Sequence, residues 1–325
     1  MERMKKIVDN EMVAMPPSAL ACHTKYGSLT TANVIGFGPC WVNQNKYVVP
    51  LKGGRLHDAL FRRYNRIIAK SKAKEEYVEA VSNAIQLGFH WIDYSCAYGD
   101  GVLLGKAIRR SGVKREELTI TTRVSNQAQF NRIIKQEFLS FLQNVGLEQV
   151  DILQFHWPVT GLYLDTWRVM EQLYEEGYVR HLGVANCHQH HLEELFKICK
   201  YKPEVGQFEV HPLFTQKPLI EYYKKHDIQV CAYTPIARFD DRLMRLPVLK
   251  EIGDRYGKSV TQVVLRWHIQ NDVIPLVRAM NPRHQKENLD VFDFVLTEDE
   301  MRQIDKININ SRLRYDPDNC DFSIL

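Results

Sequence analysis

The seven cysteines, Cys22, Cys40, Cys96, Cys187, Cys199, Cys231 and Cys320, include no Cys-x-x-Cys pair. An odd, scattered set of this kind indicates neither a disulfide framework nor a zinc ribbon, and a reducing, cytoplasmic setting is expected. Long apolar runs are missing too. No stretch approaches the roughly eighteen residues that a membrane span needs, and Met1-Glu-Arg-Met-Lys-Lys6 is not followed by the apolar run of a secretory leader. Nor is there an excess of one charge. Forty-three Lys and Arg stand against 39 Asp and Glu, a net charge of +4, which is too balanced to imply nucleic acid. A Gly-rich phosphate loop is also absent: the first candidate strand ends Gly36-Phe-Gly38-Pro39 rather than G-x-G-x-x-G, which argues against an open dinucleotide-binding sheet.

What is present is a chain of 325 residues, 45% of them hydrophobic, enough for a large core in one domain spanning 1–325. Beyond a hairpin expected near Thr24 to Thr31, short apolar runs alternate with segments of helical period. Eight strands are predicted: Asn33 to Phe37, His90 to Ser95, Leu118 to Val124, Val150 to Trp157, Val179 to Cys187, Val205 to His211, Ile228 to Pro235 and Val273 to Arg278. Runs rich in Val, Ile and Leu suit parallel strands covered by helices, with right-handed crossovers between them. Polar residues gather at their C-terminal ends. The fold class read from this is α/β, a closed (β/α)8 TIM barrel.

One segment breaks the rhythm. Residues 39–74 separate the first strand from the next helical unit by about thirty-five residues, where a βα loop takes roughly 2 to 6. Within it Leu60, Phe61, Tyr64, Ile67 and Ile68 fall at helical spacing, and Lys46, Lys52, Arg55, Arg62, Arg63, Arg66, Lys70, Lys72 and Lys74 accompany one acid, Asp58. This reads as a basic helical insertion with a solvated face, or as a docking surface for an anionic substrate or a protein partner. At the other end, 311–325 form a short C-terminal tail placed to edge a site.

The chemistry concentrates at three strand ends. Asp93 and Tyr98 lie five residues apart just past the second strand, Arg123 ends the third, and His156 ends the fourth. Together they resemble the catalytic tetrad of the aldo-keto reductases, with one departure: that family carries lysine where this chain has Arg123. The resemblance implies reduction of an aldehyde or ketone, with Tyr98 as proton donor and His156 bonding the carbonyl oxygen. A tyrosine, whose ordinary pKa is about 10, becomes a useful acid near neutrality only beside a cation, which a carboxylate must hold in place. Arg123 and Asp93 have the charges for this. Arginine keeps the positive field but is effectively never neutral, so it polarises without relaying a proton.

The resemblance extends from about Thr24 to Phe294. Val179-Arg-His-Leu-Gly-Val-Ala185-Asn186 is similar to the family strand whose Ser-Asn pair holds the nicotinamide carboxamide, with Ala185 in place of the serine. In Val205-Gly-Gln207-Phe-Glu209-Val-His211-Pro212 the glutamine is implied to bind the same group, and in Cys231-Ala-Tyr233-Thr234-Pro235 the tyrosine is implied to stack on the ring. Arg278 falls where the family has a lysine for the 2'-phosphate, His284 replaces a second basic residue, Ala279 a hydroxyl donor, and Asn288 lies in the matching Glu287-Asn288-Leu289 run. NADP(H) is favoured over NAD(H), because a guanidinium binds phosphate in a bidentate fork.

Trp41 and Trp157 are candidates for a partly aromatic substrate pocket, with Ser125 to Phe130 nearby. Cys187, His188, His190 and His191 offer metal-binding side chains within five residues. Adjacent histidines diverge, and no further group in sequence completes a tetrahedron, so no metal is expected there. The reading is thus an oxidoreductase acting on a small carbonyl compound, with neither nucleic acid nor membrane as partner. The alternatives are a cofactor-binding regulatory subunit on the same barrel, which Arg123 would suit, and a biosynthetic reductase acting on an anionic carrier-bound or phosphorylated intermediate, which the basic insertion would suit.

Overall fold

The computed structural model of the chain describes residues 35–40, 55–96 and 99–324. Eight parallel strands close into a barrel in chain order: β1 (Gly36–Phe37), β2 (Trp91–Asp93), β3 (Thr119–Val124), β4 (Val150–Phe155), β5 (Val179–Ala185), β6 (Val205–Glu209), β7 (Gln229–Tyr233) and β8 (Val273–Val277), with β8 pairing back to β1. Around them run α1 (Arg55–Leu87), α2 (Gly101–Ser111), α3 (Asn126–Asn131), α4 (Ile134–Val145), α5 (Tyr163–Glu175) and α6 (Gln189–Phe196). The outer ring continues with α7 (Lys217–Lys225), α8 (Asp241–Met244), α9 (Pro247–Tyr256), α10 (Val260–Gln270), α11 (Pro282–Leu289) and α12 (Glu298–Asp305). The closed barrel expected from the alternation of the sequence is therefore the architecture found. The expected hairpin, Trp41, Tyr98 and the insertion up to residue 54 lie outside the described residues, as do the side chains of 55–65.

Alternate residues of a strand face opposite sides, and this period of two builds both core and site. Trp91, Ile152, Val205, Cys231, Ile274 and Leu276 point inward and plug the lumen, where Trp91 Nε1 donates to Thr121 Oγ1 at 3.0 Å. Two residues on, one storey higher, the same inward face carries Asp93, Arg123, Gln154, Gln207 and Tyr233. The intervening residues, among them Ile92, Ile120, Leu153 and Val184, point outward into the larger core against Leu104, Ile108, Trp167 and Met170 of the helices. Each such side chain, fully buried, contributes about 1.5–3 kcal/mol. Gly206 also faces outward. A Cβ there would lie 1.9 Å from the Tyr223 ring, so glycine lets α7 press onto β6 while Tyr223 OH donates to Cys187 O at 2.9 Å.

The helical part of the 39–74 stretch differs from expectation in extent. It is not a separate piece before the first barrel helix, because α1 runs unbroken from Arg55 to Leu87. Lys70-Ser-Lys-Ala-Lys74 carries the helix across the expected boundary, since lysine and alanine are good helix formers. Ala69, Ala73, Tyr77 and Val78 bury one face there, and Lys70, Lys72 and Lys74 remain exposed.

Candidate active site

The inward storey above the lumen plug opens at the C-terminal ends of the strands, where barrels of this kind do their chemistry. Asp93 closes β2 and Arg123 is the penultimate residue of β3. Their side chains are 11% and 4% exposed and meet with Arg123 Nη2 at 2.5 Å from Asp93 Oδ1. Arg123 Nη1 also donates to Tyr94 O at 3.1 Å, and Nη2 to Gln207 Oε1. Gln207 returns the contact by donating from Nε2 to Asp93 Oδ1 at 3.2 Å. The resulting triangle of cation, carboxylate and amide is desolvated, so its internal attraction is strong and each member depends on the others.

His156 follows β4 directly, its backbone N–H donating to Val124 O at 3.0 Å. Burial first, and then the charges of Arg123 and Arg314, hold the imidazole down to about 3. At neutral pH it is therefore uncharged, able to donate one hydrogen bond without adding positive charge. Trp157 is 3% exposed and packs with Val159 and Phe322, the latter from the C-terminal tail. Its ring centroid lies 6.2 Å from that of His156 and 6.3 Å from that of Phe322.

Two anchors flank Tyr98 in sequence, though Tyr98 itself lies outside the described residues. On one side Tyr94, stacked on Phe141, offers its carbonyl to Arg123. On the other, Tyr94 OH donates to Gly99 O at 3.3 Å, and Asp100 caps α2 by accepting from the Val102 and Leu103 amides. Tyr94 was not singled out in the sequence. An aromatic among apolar residues gives no sign that its backbone and hydroxyl will grip the two sides of a loop.

The residues expected to hold a cofactor stand round the same rim. Asn186 follows β5 with φ of +60°, a left-handed conformation that asparagine tolerates better than most residues. Its Nδ2 donates to His156 O at 2.9 Å and its Oδ1 accepts from Tyr233 OH at 2.7 Å. Tyr233 ends β7 half-buried. Thr234 turns left-handed after it, and Pro235 O bonds the Nε2 of the fully buried His268 on α10 at 3.0 Å. That backing histidine, which burial above all holds down to about 3, is another residue the sequence did not announce. Arg278 follows β8, exposed, with its Nε donating to Cys40 Sγ. Asn281 caps α11 just beyond; Asn288 on that helix is buried, while His284 is exposed with Nδ1 3.5 Å from Glu287 Oε2.

A last element is Glu209, entirely buried at the end of β6. It accepts from His211 Nε2 at 2.9 Å and from the backbone amides of Leu313 and Arg314 at 2.7 and 2.9 Å. Together with Asn126 Nδ2, which donates to Phe322 O at 3.1 Å, it fastens the tail across the rim on the His156 side. Among the described residues no helix is long and apolar enough to cross a membrane.

A family model described as Aldo/keto reductase family matches residues 62–309. The 9,11-endoperoxide prostaglandin H2 reductase of Trypanosoma cruzi is 42% identical over 245 residues, which cover 75% of this chain and 87% of that protein. The glyoxal reductase of Bacillus subtilis is 38% identical over 255 residues, 78% of this chain and 92% of the relative. Among solved structures, the Bombyx mori aldo-keto reductase in complex with NADP superposes with a TM-score of 0.72 at 26% identity, covering 88% of this chain and 92% of that one.

Proposed function

Since the chain belongs to the aldo/keto reductase family, an oxidoreductase fold in which its relatives are named reductases, we propose that it reduces a small aldehyde or ketone with NADP(H), Tyr98 supplying the proton. The observation that carries this is the buried Arg123–Asp93 ion pair, set on the inward face of the strands beside an uncharged His156. The nicotinamide supplies the hydride when bound. The protein's part is to orient the carbonyl and manage charge: His156 donates to the oxygen that turns negative, and Tyr98 delivers the proton, its acidity raised by Arg123. Asp93 keeps the cation in place.

The residues of the rim fit such a cofactor in part. Tyr233 offers a half-buried ring to a planar partner, and Arg278, tied through Nε to Cys40, has no hydrogen bond from its terminal nitrogens among the described residues, which suits a 2'-phosphate. Asn186 and Gln207 fit the carboxamide less directly, because both amides already bond within the protein. The arginine causes this at Gln207, since its fork spans carboxylate and amide at once. A regulatory, cofactor-binding role draws its support from that same contact, and replacing Arg123 by lysine separates the two. In a working enzyme Arg123→Lys frees Gln207 and preserves or raises turnover; in a regulatory subunit it leaves a protein that still reduces nothing.

NADPH oxidation across a panel of reactive carbonyls, glyoxal and methylglyoxal included, tests the reading. Tyr98→Phe is expected to lower turnover by about a hundredfold to ten-thousandfold with NADPH affinity nearly unchanged, the range of a lost general acid. No reduction of any carbonyl by the unaltered protein, or full activity in Tyr98→Phe, would defeat it.

A further inference from the structure

The histidine cluster after β5 gains in the folded chain what it lacks in sequence, a carboxylate from the far end. Asp318 of the tail sets Oδ2 2.7 Å from His188 Nδ1, and Oδ1 3.2 Å from His190 Nε2 and 3.7 Å from His191 Nε2. One ligand atom each from His188, His190 and Asp318 lie within 4.8 Å of one another. The convergence comes from the backbone. His188 is the cap before α6, extended at φ −82° and ψ 173°, so its ring is not carried round the helix with its neighbours and instead leans over that of His190, 6.1 Å away.

We propose that His188, His190 and Asp318 form a binding site for a divalent transition metal of the zinc class, which ties the C-terminal tail to the start of α6. Two imidazoles and a carboxylate are ligands that zinc accepts at about 2.0–2.2 Å, which puts ligand atoms ~3.3 Å apart, so the 2.7 Å His188–Asp318 contact must open while the more widely spaced atoms draw together, with water completing the tetrahedron. His191 stands outside the ligand set. Its Nδ1 accepts the His188 amide at 3.1 Å, which leaves its proton on Nε2, facing Asp318. It thereby orients the carboxylate as an outer partner, a role that ligand sets commonly require.

The proton balance is simple. His188 Nε2 lies 3.1 Å from Arg312 Nη2, a donor, so without metal its ring carries the proton on Nδ1 and gives it to Asp318. Metal at Nδ1 displaces that proton, which solvent returns to Nε2, and the neutral ring changes tautomer with no net release. Arg312 must then withdraw from Nε2, and the Phe214 ring, over which its guanidinium already lies at 4.7 Å, holds it. Four residues beyond Asp318, Phe322 covers Trp157 beside His156, so the metal would steady one wall of the rim.

The test is titration of the chelator-stripped full chain with zinc, and separately with cobalt, whose absorption distinguishes nitrogen and oxygen ligands from the thiolates of the cysteines. One zinc per chain is expected, with cobalt bands free of thiolate charge transfer. His190→Ala and Asp318→Asn, both at exposed side chains, should each weaken binding roughly tenfold or more, whereas Arg312→Ala should tighten it by removing a competing cation. Zinc should also slow amide exchange of the tail. Failure to bind one equivalent, binding unchanged in both His190→Ala and Asp318→Asn, or thiolate bands with cobalt would overturn the site; tail exchange indifferent to bound zinc would overturn the tether.

Discussion

Two arginine–aspartate pairs stand at opposite ends of the barrel, Arg123–Asp93 at the C-terminal mouth and Arg115–Asp151 at the N-terminal floor. On the floor the carboxylate is held from three sides: Asp151 accepts from Arg115 Nη2 at 2.6 Å, Arg180 Nη1 at 3.1 Å and the Ile120 amide at 2.8 Å, and the two arginine side chains are 24% and 49% exposed. At the mouth one arginine serves one carboxylate, with Gln207 as third member, and the arginine is 4% exposed. The floor pair clamps three strands with most of its bonding capacity in use. The mouth pair holds a cation in a dry place beside His156, where its field reaches any group brought there. Position on a barrel, more than residue type, separates a clamp from a site.

The largest expected difference follows from removing the cation at each end. Arg123→Met leaves Asp93 buried without a counter-charge and should cost about 3–5 kcal/mol in denaturant unfolding. Arg115→Met leaves Asp151 with Arg180 and the Ile120 amide, and should cost within about 1 kcal/mol, as partly exposed pairs do. Equal losses would erase the distinction.

Acid should loosen the mouth side next. His156, partly exposed at the rim, and His268, fully buried, are held down to about 3, against an ordinary value near 6.5. The unfolded chain therefore takes up these protons first, so the stability is present above about pH 6.5 and is lost as the pH falls toward 3. Linkage makes the loss grow steadily between pH 6.5 and 5, on the order of 1–2 kcal/mol for each histidine. Urea midpoints measured across that range should show it, and His268→Gln should flatten the slope; an unchanged slope would mean that the burial of this imidazole does not bear on stability.

A smaller effect contrasts two exposed arginines. Arg278→Ala at the mouth should weaken NADPH by roughly tenfold or more and NADH much less, the loss of a hydrogen bond to a charged group. Arg180→Ala on the floor should leave both cofactors unaffected. Fluorescence titration decides, and equal losses for NADPH and NADH would show that Arg278 does not read the phosphate.

Much of this arrangement is legible in the chain because strands announce themselves by apolar runs and the site sits at their ends. Asp93, Arg123, His156, Asn186, Tyr233 and Arg278 lie in the last few residues of their predicted strands and Gln207 within one, and the barrel places all of them on one rim. Less legible were the residues that act through the backbone. Tyr94, His268 and Glu209 look like ordinary members of their elements until Gly99 O, Pro235 O and the Leu313 and Arg314 amides arrive beside them. The continuity of α1 past Lys74 was not read from the sequence; buried alanines in the lysine-rich stretch keep the helix on the barrel.

By itself the sequence determined the barrel and which residue types stand at its rim, because hydrophobic period and residue type are local properties that survive any change of neighbours. Only the tertiary structure decided which groups share a hydrogen bond. That Arg123 reaches Gln207, that Glu209 fastens the tail, and that Asp318 meets a histidine 130 residues away are matters of loop closure and of ångström distances. Polar interactions fall off steeply with distance and angle, so they take their meaning from the folded chain.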